Sequence, residues 1–172
     1  MTPANWMLSE VASLLQPMLG LPNCRTDVGQ RKSLHLGFGE RVFDGDERLR
    51  TRFYGEWEIG TYDSAWRVVK GNSILLARGD LGNSNDLAVR LSQISLGTIS
   101  ALVQPSPLDL RLEFNTDVIV EIFASTSKRD EDFFHIFLPG KKYLGLSARG
   151  VWTLSDSDKP EAESNPIRFT RE

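Results

Sequence analysis

Apolar and polar residues alternate along most of the chain after Thr51, and this two-residue period constrains the fold more than any other feature. The stretch LDLRLEF at residues 108–114 follows the period without a break. Because successive side chains of a strand point to opposite faces of a sheet, such a stretch has one apolar and one polar face. The period therefore predicts an antiparallel sheet with one side covered and one side facing water.

Turn signals separate further segments that are rich in alternating, β-branched or aromatic residues. We predict strands at residues 33–38, 57–59, 66–68, 74–77, 97–104, 118–123, 133–138, 143–146 and 151–154. Gly71-Asn72 and Pro139-Gly140 are typical of the tight turns between such strands. Connections this short favour a twisted or curled antiparallel meander, and the pattern leaves open whether the strands form one sheet or two.

Two segments have a helical period. Near the N-terminus, five apolar residues share one helical face: Met7, Val11, Leu14, Leu15 and Met18. They predict an amphipathic helix that packs on the sheet and ends or kinks near Pro17, because proline lacks the N–H group that a helix needs. Residues 81–95 are ambiguous, although Leu87 and Leu91 would line one face of a short helix that begins near Asp86. The predicted fold class is α+β, with the antiparallel strands dominant.

Two tryptophans flank a bend with the sequence GTYDS. Trp57 and Trp66 both fall in the apolar register of their strands. A buried tryptophan removes roughly 150–250 Å² from water, so we predict that both belong to the core. Tyr62 lies in the bend itself, and it is the aromatic residue that we expect to contact a partner.

The chain has 172 residues, which is enough for one domain with its own core. We predict a single domain over residues 1–172, with a loose tail at 156–172, where apolar residues become sparse. The net charge is −3 and the basic residues form no stripe, so we expect no nucleic acid partner.

The sequence also indicates a compartment. Cys24 is the single cysteine, which excludes an internal disulfide and is compatible with a reducing environment. No N-terminal leader pattern occurs, and no apolar run approaches the ~18 residues of a membrane span. We therefore expect a cytoplasmic protein that does not bind a membrane.

Motifs of catalysis and metal binding do not occur in the sequence. The chain has two histidines and one cysteine, no G-x-S-x-G motif and no H-E-x-x-H motif. The stretch GFGERV lacks the third glycine of a dinucleotide-binding loop. We expect no catalytic residue, no metal and no cofactor, and a protein that is not an enzyme.

Several motifs carry a resemblance to a known group. The runs WEIGTYDSAWRVVKGNSILLARGD, VIVEIFA, FFHIFLP and VWTLSDSDKP resemble a loose group of uncharacterised bacterial proteins. Members share a Trp-x-Ile-Gly-Thr/Ser-Tyr start, an Ala-Trp-Arg step and a closing tryptophan near Lys-Pro. The group is similar to the small proteins of toxin–immunity loci, and the resemblance covers about residues 53–160. It implies a bacterial cytoplasmic protein without catalytic activity.

The first functional hypothesis is a binding protein, such as an immunity protein that neutralises a cognate toxin. Acidic surfaces speed the association with a basic toxin, because complementary charges steer the encounter. The residues that we expect at this interface are Glu56, Glu58, Tyr62, Asp130, Glu131 and Asp132. On a sheet with one wet side, Glu56 and Glu58 are equally expected as ordinary polar residues of the exposed face.

Two further hypotheses stay open. The protein could be a homo-oligomeric interaction module that pairs through a sheet edge or through its N-terminal helix. It could also bind a small molecule in a pocket near His135, with Trp66 or Trp152 around the cavity. His135 lies in the aromatic stretch FFHIFL, where a histidine is more often packed than catalytic.

Overall fold

The computed structural model describes residues 5–43, 53–127, 131–160 and 163–171 of the chain. The strands in this part are β1 (Asn23–Val28), β2 (Leu34–Phe43), β3 (Phe53–Thr61), β4 (Ala65–Lys70), β5 (Ser73–Ala77), β6 (Ile99–Ser106), β7 (Asp109–Phe114), β8 (Val118–Phe123), β9 (Asp132–Leu138), β10 (Lys142–Ser147), β11 (Trp152–Asp156) and β12 (Ile167–Phe169). The α-helices are α1 (Ser9–Leu15) and α2 (Ser84–Ser92), and short 3-10 helices lie at Gln16–Met18 and Gln30–Lys32.

The strands form two antiparallel sheets. The seven-stranded sheet has the order β1-β2-β3-β9-β10-β11-β12, and the five-stranded sheet has the order β5-β4-β8-β7-β6. The prediction of an α+β fold built mainly from antiparallel strands is confirmed. Most neighbouring strands are also consecutive in the chain, but β3 pairs with β9 because the chain leaves the first sheet after β3 and returns to it at β9.

A single apolar core joins the two sheets. The Phe38 ring of β2 stacks on the Phe114 ring of β7, with their centroids 6.1 Å apart. In β11, Trp152 donates a hydrogen bond from Nε1 to Oε1 of the buried Gln104 in β6, at 3.2 Å. Trp57 and Trp66 are 5% and 2% exposed, so the prediction that both belong to the core is confirmed.

Each of the two segments with a helical period contains an α-helix. Helix α1 buries Val11 and Leu15 and ends at Leu15, and the chain tightens into a 3-10 turn that contains Pro17. The ambiguous segment at 81–95 forms α2, which buries Leu87 and Leu91. Its N-cap is Asn83, three residues before the expected Asp86. Among the described residues, no helix is long and apolar enough to cross a membrane.

The segment 156–172, which we predicted as a loose tail, includes residues of two strands. Asp156 ends β11 and Ile167–Phe169 forms β12. Strand β12 pairs with β11 through three positions, from Trp152↔Phe169 to Leu154↔Ile167. This short strand closes one side of the groove described below.

Candidate functional site

The face of the seven-stranded sheet that points away from the core carries two rows of polar and aromatic residues. Alternation places them there, because the neighbouring positions Leu36, Ile59 and Ile136 are fully buried in the core. One row runs across the strands as Arg25, Gly37, Glu58, Phe137, Tyr143 and Ser155. The adjacent row runs as Asp27, His35, Gly60, His135, Gly145, Thr153 and Arg168.

His135 lies near the middle of this face and is enclosed by aromatic rings. Its ring centroid is 4.6 Å from that of Tyr62, 5.4 Å from that of Phe137 and 5.6 Å from that of Tyr143. The side chain is 4% exposed, and its Nδ1 atom is buried without a hydrogen-bond partner in the described part of the chain. Burial lowers the pKa of His135 to about 4, with a smaller contribution from His35. His135 is therefore neutral at pH 7.

Glycines make room for the buried polar groups of this face. A Cβ atom at Gly60 would overlap Nε2 of His135, and one at Gly37 would lie 2.6 Å from Oε2 of Glu58. At Gly145, a Cβ atom would lie 2.9 Å from Cε1 of Tyr143 and would overlap the Asp132 carboxylate. Glycine inside a strand often marks such a close approach.

An ion pair fills the β1 side of the face. The Arg25 guanidinium contacts Oε1 of Glu58 and also lies 3.0 Å from Oδ2 of Asp27. The backbone N–H of Gly55 donates to Oε2 of Glu58 at 2.8 Å. Burial raises the pKa of Glu58, although Gly55 and Arg25 both oppose this effect. Glu58 is thus a partnered, buried carboxylate.

A second polar group lies on the β10 side of His135. The Tyr143 hydroxyl donates to Oδ2 of Asp132 at 2.8 Å. Burial raises the pKa of Tyr143, and the nearby Asp132 and Tyr62 raise it further. Tyr143 therefore stays protonated and acts as a hydrogen-bond donor at neutral pH.

A groove of about 820 Å³ adjoins this group, over the outer face of β9 to β12. Its lining consists of Asp132, Phe137, Tyr143, Ser147, Arg149, Val151, Thr153, Ser155, Asp156, Ser157, Lys159, Ser164, Pro166, Arg168 and Thr170. Phe137 and Tyr143 separate the groove from His135, because both rings also contact the imidazole. The lining thus combines two aromatic rings with hydroxyl groups and charged side chains.

The charged residues of the groove differ in their partners. Lys159 lies 2.7 Å from Oδ2 of Asp156, which also pairs with Lys142. These contacts lower the pKa of Asp156 to about 2, with the Lys142 hydrogen bond as the largest cause. Arg168, in contrast, is exposed and forms no ion pair with any residue that the structure describes.

The structure brings together only part of the expected interface. Tyr62 is 50% exposed and packs on His135, and Asp132 lies nearby through its hydrogen bond to Tyr143. The side chain of Glu58 is buried in its ion pair with Arg25, whereas Glu56 and Glu131 are exposed. Asp130 lies outside the described residues.

His135 does not lie with the tryptophans that we expected around it. Trp152 points into the core, where its ring meets Phe134 edge-on at 6.1 Å. Trp66 is also a core residue, and its Nε1 atom donates to the carbonyl oxygen of Lys32 at 2.8 Å. The reason is the strand period, because His135 and its neighbour Phe134 point to opposite faces of the sheet.

Neither metal ligands nor similarity assigns a function to the site. Within the described ranges, no group of three or more His, Cys, Asp or Glu residues could hold a metal ion. Comparisons of the chain with protein-family models, curated proteins and solved structures found no match. The functional conclusion therefore depends on the geometry of the groove.

Proposed function

We propose that this chain is a binding protein that takes a small-molecule ligand in the groove over β9 to β12. The observation that carries the proposal is a concavity of about 820 Å³ that combines two aromatic rings with hydroxyl and charged groups. Pockets of roughly 300–1,000 Å³ with a few convergent polar groups are typical of small-molecule sites.

The hydroxyl groups of the groove support this proposal. The side chains of Thr153, Ser155 and Thr170 form no hydrogen bond with the residues described. Thr153 and Ser155 are half-buried, and both point into the groove from β11. Their hydroxyls are free to bond to a ligand, because each supplies one donor and two acceptor positions.

The surroundings of His135 favour binding over catalysis. The imidazole is covered by the rings of Tyr62, Phe137 and Tyr143. A ligand in the groove would therefore contact these rings and not the histidine. A general base works best with a pKa near the operating pH, and the pKa of His135 lies at about 4. A role in packing agrees with both features.

A panel of small molecules tests the proposal. We would measure thermal stabilisation by neutral aromatic compounds, sugars, carboxylates and organic phosphates. At least one class should raise the Tm of the wild-type protein, because a ligand that binds the folded state stabilises it. The Thr153→Trp variant, which fills the groove, should lose this effect.

The control is Val69→Trp, which places the same ring on the outer face of the five-stranded sheet. It should respond to the panel as the wild type does. A panel without a single stabilising compound contradicts the proposal, and so does equal stabilisation of Thr153→Trp and Val69→Trp.

A second candidate function is the binding of a protein partner, such as the toxin that the resemblance of residues 53–160 implies. The observation that favours it is the exposed ring of Tyr62, since tyrosine is enriched at interface hot spots. Tyr62 and Asp132 both interact with Tyr143. Glu131 adds an exposed acidic residue next to Asp132 in the chain.

Co-purification with the product of the adjacent upstream gene tests this second candidate. If a complex forms through the surface at Tyr62, Tyr62→Ala should weaken it by about tenfold or more. Tyr54→Ala is the matched control, because Tyr54 is 49% exposed near the start of β3, whereas Tyr62 follows the end of this strand. The absence of a complex, or equal affinities of the two variants, argues against a toxin partner at this surface.

A further inference from the structure

The groove has an aromatic end and a cationic end, and we infer that its ligand is a ring-bearing phosphate monoester of the size of a nucleoside monophosphate. This inference rests on the proposed binding function of the groove. Phe137 and Tyr143 form the aromatic end, and Arg168 forms the cationic end. Thr153 and Ser155 lie between them.

The aromatic end offers a surface for a planar ring. Phe137 is 40% exposed, and its ring meets that of Tyr143 edge-on with centroids 5.4 Å apart. The Tyr143 ring is fixed from behind, because it stacks on His135 and its hydroxyl bonds to Asp132. Exposed aromatic faces held in this way bind nucleobases by stacking, and they tolerate different bases.

The cationic end has an arginine whose side chain forms no ion pair with the described residues. Arg168 lies beside Thr153 in the pairing of β11 and β12, and no described carboxylate neutralises it. The guanidinium group matches phosphate oxygens with two parallel hydrogen bonds. Arg149 also lines the groove. A phosphate bound here would neutralise the Arg168 guanidinium, which pairs with no carboxylate of the described residues.

The separation of the two ends sets the size of the ligand. Tyr143 and Arg168 lie two strands and one row apart, which corresponds to ~12 Å between their Cα atoms at the usual strand spacings. Both side chains reach into the groove and shorten this gap. The hydroxyls of Thr153 and Ser155 face the middle of the gap, where a sugar with its own hydroxyl groups would lie.

Titration calorimetry with four related probes tests the inference: AMP, adenosine, ribose 5-phosphate and inorganic phosphate. AMP should bind at least about tenfold more tightly than any of the other three, because it alone engages both ends of the groove. Raising the salt concentration should weaken AMP binding, since the contact to Arg168 is exposed.

Two variants separate the contributions of the ends. Arg168→Gln should weaken AMP binding by about tenfold or more and leave adenosine binding unchanged. Phe137→Leu should weaken both AMP and adenosine and leave ribose 5-phosphate unchanged. The controls are Lys70→Gln, which removes an exposed cation of β4, and Phe43→Leu, which removes an exposed ring of β2.

The outcomes distinguish this inference from the proposed function. Adenosine that binds as tightly as AMP, or an Arg168→Gln variant that binds AMP as well as Lys70→Gln does, overturns the phosphate assignment. If AMP does not bind but another compound stabilises the wild type and not Thr153→Trp, the groove still binds a ligand and the nucleotide assignment falls. If no compound of either experiment binds, both proposals fall.

Discussion

At the scale of single residues, glycines leave the space that the polar groups of the outer face occupy. Gly60 lies between the two histidine positions of one cross-strand row, and the His135 ring lies over it. The imidazole, the Glu58 carboxylate and the Asp132 carboxylate each lie against a glycine of a neighbouring strand. A larger residue at any of these positions would displace a buried polar group.

We expect Gly60→Ala to lower the free energy of unfolding by about 1–3 kcal/mol, because the added Cβ atom overlaps the imidazole of His135. Chemical denaturation measures the change. The control is Gly79→Ala, since a Cβ atom at Gly79 would have no described atom within 4 Å. In a His135→Ala background the same glycine substitution should cost less, and an equal cost in both backgrounds would contradict the proposed contact.

Burial of His135 should also make stability depend on pH. Its pKa is about 4 in the folded state and has the ordinary histidine value of 6.5 in the unfolded chain, so the unfolded chain binds more protons between these values. The free energy of unfolding should therefore fall as the pH is lowered from 6.5 towards 4, by up to ~3 kcal/mol from this group.

Urea denaturation of wild type and His135→Phe at a series of pH values measures this effect. The phenyl ring keeps the aromatic packing and cannot bind a proton, so the variant should lose less stability between pH 6.5 and pH 4. Glu58 has a raised pKa, so it acts in the opposite direction, and this contribution is present in both proteins. Parallel curves for the two proteins would show that His135 does not carry the effect.

The sequence predicted the role of single residues where periodicity decides it. Trp57 and Trp66 are in the core as expected, because the two-residue period assigns them to the apolar face. The same period assigned Glu58 to the wet face, yet its side chain is buried. Periodicity tells which face a residue occupies, but the side chains of other strands decide whether that face is open to water.

At the scale of elements, helix α2 begins with a capping box. The side chain of Asn83 accepts a hydrogen bond from the backbone N–H of Asp86, and the carboxylate of Asp86 accepts one from the backbone N–H of Asn83. This capping box satisfies two N–H groups that the first turn would otherwise leave unpaired.

Replacing the cap should therefore destabilise the protein. We expect Asn83→Ala to lower the free energy of unfolding by about 1 kcal/mol, as measured by thermal or urea denaturation. Asn85→Ala is the matched control, because Asn85 is exposed inside the same helix and alanine favours helices. If Asn83→Ala and Asn85→Ala have the same denaturation midpoint, the capping box does not stabilise the protein.

The strands that the sequence did not predict have only a weak or short alternating pattern. In β1, five of the six residues are half-buried, and Val28 is the one strongly apolar and buried residue of NCRTDV. Strand β12 has only three residues, and none of them is fully buried. Both lie at the edges of the seven-stranded sheet, where one neighbour is enough to hold a strand. Strict alternation is a signal of strands with one buried face, and it misses edges of this kind.

At the scale of the whole molecule, the groove arises from pairings that local patterns do not encode. Strand β9 joins β3 across about 70 residues of chain, and this pairing brings Tyr62 to His135. Strand β12 then sets Arg168 beside Thr153. We predicted Tyr62 and Asp132 as interface residues from the sequence, but no sequence pattern marked Arg168 or Tyr143. A signal that could have indicated Tyr143 is Gly145 inside β10, because a glycine within a strand often marks a close approach.

One shared core should make the two sheets unfold together. Phe38 stacks on Phe114 and Trp152 bonds to Gln104, and each of these contacts joins a residue of one sheet to a residue of the other. Removing core atoms from either sheet should therefore lower the free energy of the same cooperative unfolding transition. The tryptophans can report on both sides, because Trp66 lies in the five-stranded sheet and Trp152 in the seven-stranded sheet.

We expect far-UV circular dichroism and tryptophan fluorescence to give the same urea midpoint. Leu36→Ala in β2 and Leu112→Ala in β7 remove fully buried side chains, one from each sheet. Each should lower the free energy of unfolding by about 2–5 kcal/mol and shift both signals equally. Ile74→Ala is the control, because Ile74 is 59% exposed. Two separate transitions, each moved by only one of the core variants, would mean that the sheets are independent folding units and that the contacts between them add little stability.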